Sequence, residues 1–341
     1  MSDQFEAAGI SKPAIAVYGA AGHTGRFVIR ELLRRGFPAI AIGRDAEKLA
    51  AAGFPAGVRQ DVAALADSAA LARVLSGAAA LINCAGPFLD TAEFLVPAAL
   101  QARIPYLDVT AEQPSARATF ERYSSAAEEA GVAVIPAMGF YGGLSDLLAT
   151  AAMGDWPHAD EARVAIALDS WHPTEGTRVT GQRNTARRVT ISEGRLQHLP
   201  DPAPNAVWPF AEPFGAQEMV ELPFTEAILI DSHLQLSDLH SYLNTAPLRD
   251  LRDVTTPAPV AADASGRSAQ KFLVEVEIRR GETVRRASAR GQDIYAITAP
   301  LVVEAVERLL NGGKARGGVF APGALFDARD FLVALAPDLA F

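Results

Sequence analysis

Between residues 14 and 136 a short strand-like run, apolar in most cases, recurs six times, and segments with helical character separate the runs. The runs at 14–18, 39–42, 57–60, 78–83, 105–109 and 132–136 read as strands. Phe27, Val28, Leu32 and Leu33 mark the first helix, which Gly36 stops, and further helices are expected at 45–52, 67–75, 92–102 and 116–130. The apolar runs lack the in–out alternation of a strand that is covered on one face only. Such strands, joined through helices by short links, specify an α/β fold: a doubly wound parallel sheet with helices on both faces, the Rossmann arrangement.

The link from the first strand to the first helix is GAAGHTG, residues 19–25. A phosphate-binding turn needs a sharp bend, a point where backbone meets the pyrophosphate, and a close helix–strand contact. Glycine serves all three, and the helix start offers free N–H groups to the anion. Gly22 and Gly25 hold the last two positions of the familiar Gly-x-Gly-x-x-Gly, while Ala20 stands where its first glycine would be. Gly19, Ala21, Gly22, His23, Thr24 and Gly25 are the expected cofactor positions, against the alternative of an ordinary glycine-rich turn.

At the end of the second strand, NAD enzymes carry an acid for the ribose 2′-hydroxyl. This chain has Gly43-Arg44 instead. A guanidinium holds a 2′-phosphate bidentately, and Lys48, one helical turn on, adds charge, so NADP(H) is the expected cofactor. The alternative is a solvated Arg44 with Asp45 on the ribose.

Other candidates follow along the same sheet edge. Asp61, after the third strand, either flanks the adenine or caps a helix. Cys84, Ala85, Gly86 and Pro87, after the fourth strand, are small enough to let a cofactor lie against backbone, and Phe88 can cover the nicotinamide ribose. Cys84 reads as a packed residue rather than a nucleophile. After the fifth strand come Asp108 and Glu112; Asp108 is the candidate contact at the nicotinamide end, and a capping or loop-bracing acid is the alternative for either.

After Tyr141 the rhythm breaks. Residues 163–168, 189–191, 227–234 and 272–279 read as strands, the last pairing with 284–291 across a turn at 280–282. The proline-rich stretch 199–213 reads as an extended loop, 257–266 as a linker, and 298–310 as a helix ending at Gly312-Gly313. A second, mixed α+β domain is expected: 1–138 for the dinucleotide, 139–316 for substrate and dimerisation, and 317–341 as a C-terminal segment. Tyr141, among glycines at the junction, and His172, ahead of the polar loop 176–185, are the candidate proton donors; packing roles are the alternatives.

Composition narrows the function further. The chain has 341 residues, 49% of them hydrophobic, which suits two cores. A net charge of −9 opposes nucleic acid and anionic membranes as partners. The single cysteine rules out an intrachain disulfide, and the six histidines form no His-x-x-His or His-Glu-x-x-His pattern, so no metal site is expected. No apolar run reaches the ~18–20 residues that span a bilayer. The opening MSDQFEAAG has neither the basic nor the apolar region of a signal peptide, so a cytoplasmic location is expected. A homodimer through the second domain is the expected assembly. No tyrosine is followed four residues later by a lysine, which removes the Tyr-x-x-x-Lys pair of short-chain dehydrogenases.

The chain resembles the saccharopine dehydrogenase-like family of NADP-dependent oxidoreductases. The resemblance rests on GAAGHTG at 19–25, IGRDAEKL at 42–49, INCAGPF at 82–88, YLDVTAE at 106–112 and GFYGGLSDLL at 139–148. Later segments are EGTRVTG at 175–181 and GGVFAPGALF at 317–326. The resemblance implies an NADP(H)-dependent reductase or dehydrogenase with a small-molecule substrate between two domains, and a C-terminal segment that returns to the first. It implies cofactor contacts at Gly19, Gly22, Gly25, Arg44 and the Gly86 loop. His23 departs from the pattern, since many relatives carry an aromatic residue there. Two functions stand against each other: hydride transfer to a C=N, C=C or C=O group, and NADP sensing without turnover. The polar loop favours the enzyme, because a sensor needs no second pocket.

Overall fold

A computed structural model describes residues 12–312 and 316–341. The opening nonapeptide discussed above, Gly313, and position 315 of the expected second domain lie outside the described residues. The first part of the chain runs β1 (Ala14–Tyr18), α1 (His23–Arg34), β2 (Ala39–Gly43), α2 (Ala46–Ala51), β3 (Arg59–Val62), α3 (Ser68–Leu75), β4 (Ala78–Asn83), α4 (Phe88–Ala102), β5 (Tyr106–Asp108), α5 (Gln113–Ala130) and β6 (Ala133–Ile135). These strands are parallel and lie side by side in the order β3-β2-β1-β4-β5-β6.

The sheet explains its own sequence. In β1, Ile15 and Val17 pack with Val28 and Leu32 of α1, while Ala16 and Tyr18 pack with Leu71 and Val74 of α3. β2 divides in the same way, Ala39 and Ala41 to one side and Ile40 and Ile42 to the other. Both faces are dry, so a polar residue has no place in the run. Each fully buried isoleucine contributes about 1.5–3 kcal/mol through its removal from water.

A turn at Phe140–Leu144 leads into α6 (Ser145–Met153). There follow β7 (Ala159–Leu168), α7 (Glu175–Arg183), β8 (Val189–Ser192), β9 (Arg195–His198), β10 (Asn205–Pro209), β11 (Ala216–Glu221), α8 (Glu226–Asp231), β12 (Leu236–Asn244), α9 (Ala246–Arg252), β13 (Lys271–Arg280), β14 (Thr283–Gln292), α10 (Thr298–Asn311), β15 (Gly318–Val319), α11 (Pro322–Leu325), α12 (Ala328–Ala334) and β16 (Leu339–Ala340). The second sheet has the order β10-β11-β12-β7-β13-β14-β16 and is antiparallel except where β7 meets β12. β8 and β9 form a separate hairpin.

The C-terminal segment touches both sheets. β15 adds in parallel to β6, and β16 pairs with β14. Helix α10 lies along α1, where Arg35 bonds Glu31 at 2.7 Å, Glu307 at 3.0 Å and also Glu304. No helix among the described residues is long and apolar enough to cross a membrane.

Four expectations are corrected. Residues 227–234, read as a strand, contain helix α8: Ile228 and Leu229 donate to the Thr225 carbonyl and close a helical turn. A short apolar run does not distinguish a buried strand from a buried helical turn. The strand there is β12, whose polar residues hid it. The expected loop 199–213 contains β10, an edge strand, where prolines interrupt no ladder. Much of the polar loop 176–185 is helix α7, with Thr174 accepting from the Thr177 N–H at its start. The third strand is Arg59–Val62, shifted from 57–60, so Asp61 lies within it.

Candidate functional site

The carboxyl ends of the first sheet form one edge. Tyr18 is level with Ile42 on one side and Asn83 on the other, and Asn83 is level with Asp108. The strand order reverses between β1 and β4, which makes a crevice there. The glycine loop sits at its mouth.

Gly19 has φ +78°, a conformation that favours glycine. A Cβ on it would stand 2.8 Å from the Ala85 nitrogen. On Gly25 a Cβ would stand 2.3 Å from the Gly19 carbonyl oxygen and 2.8 Å from Ala20 Cα. Both glycines are therefore required by close approach of backbone. Gly22 is the residue before the helix, and the Arg26 N–H donates to its carbonyl. The N–H groups of His23, Thr24 and Gly25 belong to the first helical turn, which has no acidic side chain to cap it. The cradle thus fits a pyrophosphate: backbone packed tight, donors at the helix start, no competing carboxylate. Ala21 is half-buried beside it.

Arg44 and Lys48 are exposed at the end of β2 and in α2. Among the described residues neither side chain has an ion-pair partner. Asp45 accepts from the Lys48 backbone N–H at 3.1 Å and so caps α2. Asp61 is paired with Arg59 at 2.5 Å. The residues suited to a 2′-phosphate are present and uncommitted, whereas the acids nearby are committed.

Cys84, Ala85 and Pro87 are half-buried at the end of β4, and Gly86 is exposed. Burial pushes the Cys84 thiol well up, which makes it inert. Phe88 is the first residue of α4, and its N–H donates to Glu112 Oε1 at 2.7 Å, so Glu112 caps that helix. Asp108 is fully buried. Its Oδ1 accepts from Ala137 N at 2.8 Å and Thr110 N at 3.1 Å, and its Oδ2 from the Tyr106 hydroxyl at 3.0 Å. Burial raises its pKa to about 6 against those bonds. Through these bonds Asp108 ties the end of β5 to the backbone at Thr110 and Ala137.

Helix α7 comes over this edge from the second sheet. A Cβ on Gly86 would lie 3.0 Å from Thr180 Oγ1. Arg183 pairs with Asp90 of α4 at 2.6 Å, and Arg178 donates to the Thr256 carbonyl at 2.8 Å. No residue of α7 is buried, so few apolar side chains anchor it.

The two candidate proton donors are in different surroundings. The Tyr141 ring stacks on Phe224 at 4.1 Å and on Trp171 at 5.3 Å. Its hydroxyl is buried without a hydrogen-bond partner, and burial pushes its pKa well up. His172 is half-buried just before α7 and has no side-chain hydrogen bond among the described residues. His23 leans edge-on against Tyr295 at 5.3 Å, with its Nε2 buried and unpartnered. The Tyr295 hydroxyl meets Thr177 Oγ1 at 3.0 Å and Trp171 Nε1 at 3.1 Å. Thr180 lies in the polar stretch 176–185 that the sequence singled out, whereas Tyr295, Trp171 and Arg188 were not among the sequence candidates, because none stands in a motif and each is brought in by the second sheet. No group of three metal-ligating side chains occurs among the described residues.

Residues 15–135 match the family model described as Saccharopine dehydrogenase NADP binding domain. No curated protein matches the sequence. Apo saccharopine dehydrogenase (L-Glu forming) from Saccharomyces cerevisiae has a similar fold, with a TM-score of 0.68 at 12% identity over 95% of this chain and 97% of that one. A dipicolinate-bound dihydrodipicolinate reductase from Paenisporosarcina sp. TG-14 aligns over 92% of this chain and all of its own at 11% identity, but its TM-score of 0.45 supports no argument. The glycine cradle and the edge it opens on both lie within residues 15–135, the stretch that matches the Saccharopine dehydrogenase NADP binding domain model.

Proposed function

We propose that the protein is an NADP(H)-dependent oxidoreductase that moves a hydride between the nicotinamide and a C=N, C=C or C=O group of a small organic substrate, between the two sheets. The observation that carries the reading is the pairing of a glycine cradle at the start of α1 with exposed, uncommitted Arg44 and Lys48 at the end of β2. The cradle and the first-turn N–H groups would hold the pyrophosphate, and Arg44 with Lys48 the 2′-phosphate. When bound, the nicotinamide supplies the hydride chemistry. The protein's own part is to orient the ring against the Cys84–Pro87 backbone, to exclude water with α7, and to hold a proton.

Tyr141 and His172 are the proposed donors. The Tyr141 hydroxyl has no partner within the protein, which leaves its proton free for a heteroatom or carbon that gains an electron pair. The same reading includes a cytoplasmic homodimer that meets through the second sheet, whose edge strand β10 carries the exposed Val207.

The test is oxidation of NADPH by the pure protein with a panel of imines, enones and 2-oxo acids. Turnover with one class supports the reading. Tight NADPH binding without turnover across the panel would leave a sensor instead.

A further inference from the structure

A cavity of about 890 Å³ lies against α1 and shares no lining residue with the crevice. Phe27, Arg30, Glu31 and Arg34 face it at helical spacing, so it begins where the glycine loop ends. Its floor is apolar: Phe27, Ala296, Ala299 and Pro300 are buried there. Its wall is the segment 261–267. The sequence reads 257–266 as a linker, but the wall is a braced turn. Asp263 Oδ1 accepts from the Ser265 N–H at 2.8 Å and from the Ser265 hydroxyl at 2.5 Å, and the Ala262 N–H donates to the Arg267 carbonyl at 2.7 Å. Such a volume, an apolar floor and a few fixed polar groups are what small-molecule sites have in common.

The charges around the cavity are unequally committed. Glu31 accepts from Arg34 at 2.6 and 2.7 Å and from Arg35 at 2.7 Å. Asp338 pairs with Arg267 and lies 3.7 Å from Arg34. Asp263 is committed to its own turn. Arg30 differs: among the described residues no carboxylate pairs with it, and its Nη1 donates to the Ser265 carbonyl at 2.9 Å. The group is nevertheless held in place. Its guanidinium carbon lies 5.3 Å from the centre of the Phe27 ring, and Nη1 rests against Gly266, where a Cβ would stand 2.6 Å from it. A guanidinium has five N–H donors, so most of them remain for a ligand.

We propose that this cavity is a second ligand site, outside the crevice, that takes a small amphipathic organic monoanion, with its apolar body against Phe27, Ala299 and Pro300 and its acid head on Arg30, and that its occupancy weakens cofactor binding. A single charge follows from the single uncommitted cation. The link to the cofactor follows from His23, in the first turn of α1, which lies edge-on to Phe27 at 5.3 Å. Burial holds the His23 pKa down, Asp293 opposes this, and Arg26 and Arg30 add to the lowering, so the Arg30 charge is felt at that turn. An anion on Arg30 cancels part of a positive field that favours the pyrophosphate, and by linkage the cofactor weakens the anion equally. The coupling rests on NADPH binding at the glycine loop; the anion site itself does not.

The experiment is calorimetric titration of the protein with naphthoate and octanoate, each beside its amide, with and without saturating NADP⁺. Wild type is expected to bind at least one of the acids about 10-fold more tightly than its amide, the worth of a charge-assisted hydrogen bond, whether or not NADP⁺ is present. Arg30→Gln is expected to abolish that preference. Ala264→Trp, which fills the cavity from its exposed wall, is expected to weaken acid and amide alike, and Arg195→Gln, at an exposed arginine of β9, to leave both unchanged. Unchanged melting temperatures show that the variants are folded. At low ionic strength the saturating acid is expected to weaken NADPH binding about threefold in wild type and not in Arg30→Gln, and added salt to reduce the effect. Equal affinity of wild type for acid and amide, or a preference that survives Arg30→Gln, overturns the site. NADPH affinity that ignores the bound acid overturns the coupling. Failure of wild type to bind NADPH at all would count against the oxidoreductase reading, while the preference for acids would still decide the site.

Discussion

The backbone of Gly19 passes so close to Ala85 that a Cβ on the glycine would stand 2.8 Å from the Ala85 nitrogen and 2.9 Å from its Cβ. The turn after β1 and the turn after β4 are thus one packed unit at the point where the strand order reverses. A cofactor lying on either rests on both. This contact is what makes the glycine spacing here a site and not merely a flexible link.

Substitution at Gly25 tests that unit. Gly25→Ala forces a Cβ against the Gly19 carbonyl and Ala20 backbone, neither of which yields as a side chain would. A loss of about 1–3 kcal/mol is expected from such overpacking, together with loss of NADPH binding. Gly22→Ala, whose Cβ meets only the Gly19 oxygen at 3.1 Å, is expected to retain most of the stability. Denaturant unfolding and NADPH fluorescence titration of both variants check this.

The Tyr141 hydroxyl separates chemistry from packing. It is buried and unpartnered, so Tyr141→Phe removes an unsatisfied group and is expected to leave stability equal or higher by about 1 kcal/mol. If the hydroxyl donates the proton, kcat falls by roughly 10²-fold or more. His172→Ala is the companion measurement; unchanged kcat in both variants would remove both donors.

Glu226 gives a pH dependence with a definite sign. Burial raises its pKa from 4.5 in the unfolded chain to about 7 in the folded one. Below the unfolded value both states are protonated and nothing is lost. As pH rises from there through the folded value, the unfolded chain ionises first, and stability declines by on the order of 3 kcal/mol in total. Glu226→Gln removes that decline. The variant is expected to gain on wild type between about pH 5 and about pH 8 in denaturant unfolding; a constant difference contradicts the assignment.

Helix α7 has no buried residue, and exposed and half-buried polar contacts tie it down, Arg183–Asp90 among them. Arg183→Ala is expected to change stability by less than about 1 kcal/mol, as exposed ion pairs do, and to speed NADPH release. Stopped-flow displacement of NADPH reads that rate, and hydrogen exchange should show α7 opening before α1.

The first sheet was legible because its central strands are buried on both faces and its first helix is amphipathic, whereas the mostly exposed β3 was placed two residues early. A run such as AIAVY at 14–18 was read as a strand from its place in the alternation with helices, since a short apolar run alone is ambiguous. The edge residues were legible by motif; Asp45 caps α2, and Glu112 caps α4, the capping role given as its alternative. Asp108 was less so: its place after β5 marked it as an edge residue, but its bonds to Thr110, Ala137 and Tyr106 depend on segments that no motif joins. The second sheet was harder. α8 and β12 both carry short apolar stretches whose form is decided by neighbours distant in sequence. Tyr295 and Arg188 acquire their surroundings only when β7, α7 and the turn before α8 come together, and no local pattern announces that.

The most direct test of the account is the affinity of wild type and Arg44→Ala for NADPH and for NADH, measured side by side. The account predicts that wild type prefers NADPH, and that Arg44→Ala loses roughly 10–100-fold in NADPH affinity, the worth of a charge-assisted pair, while NADH affinity stays nearly unchanged. Equal losses for the two cofactors, or a wild type that prefers NADH, would contradict it.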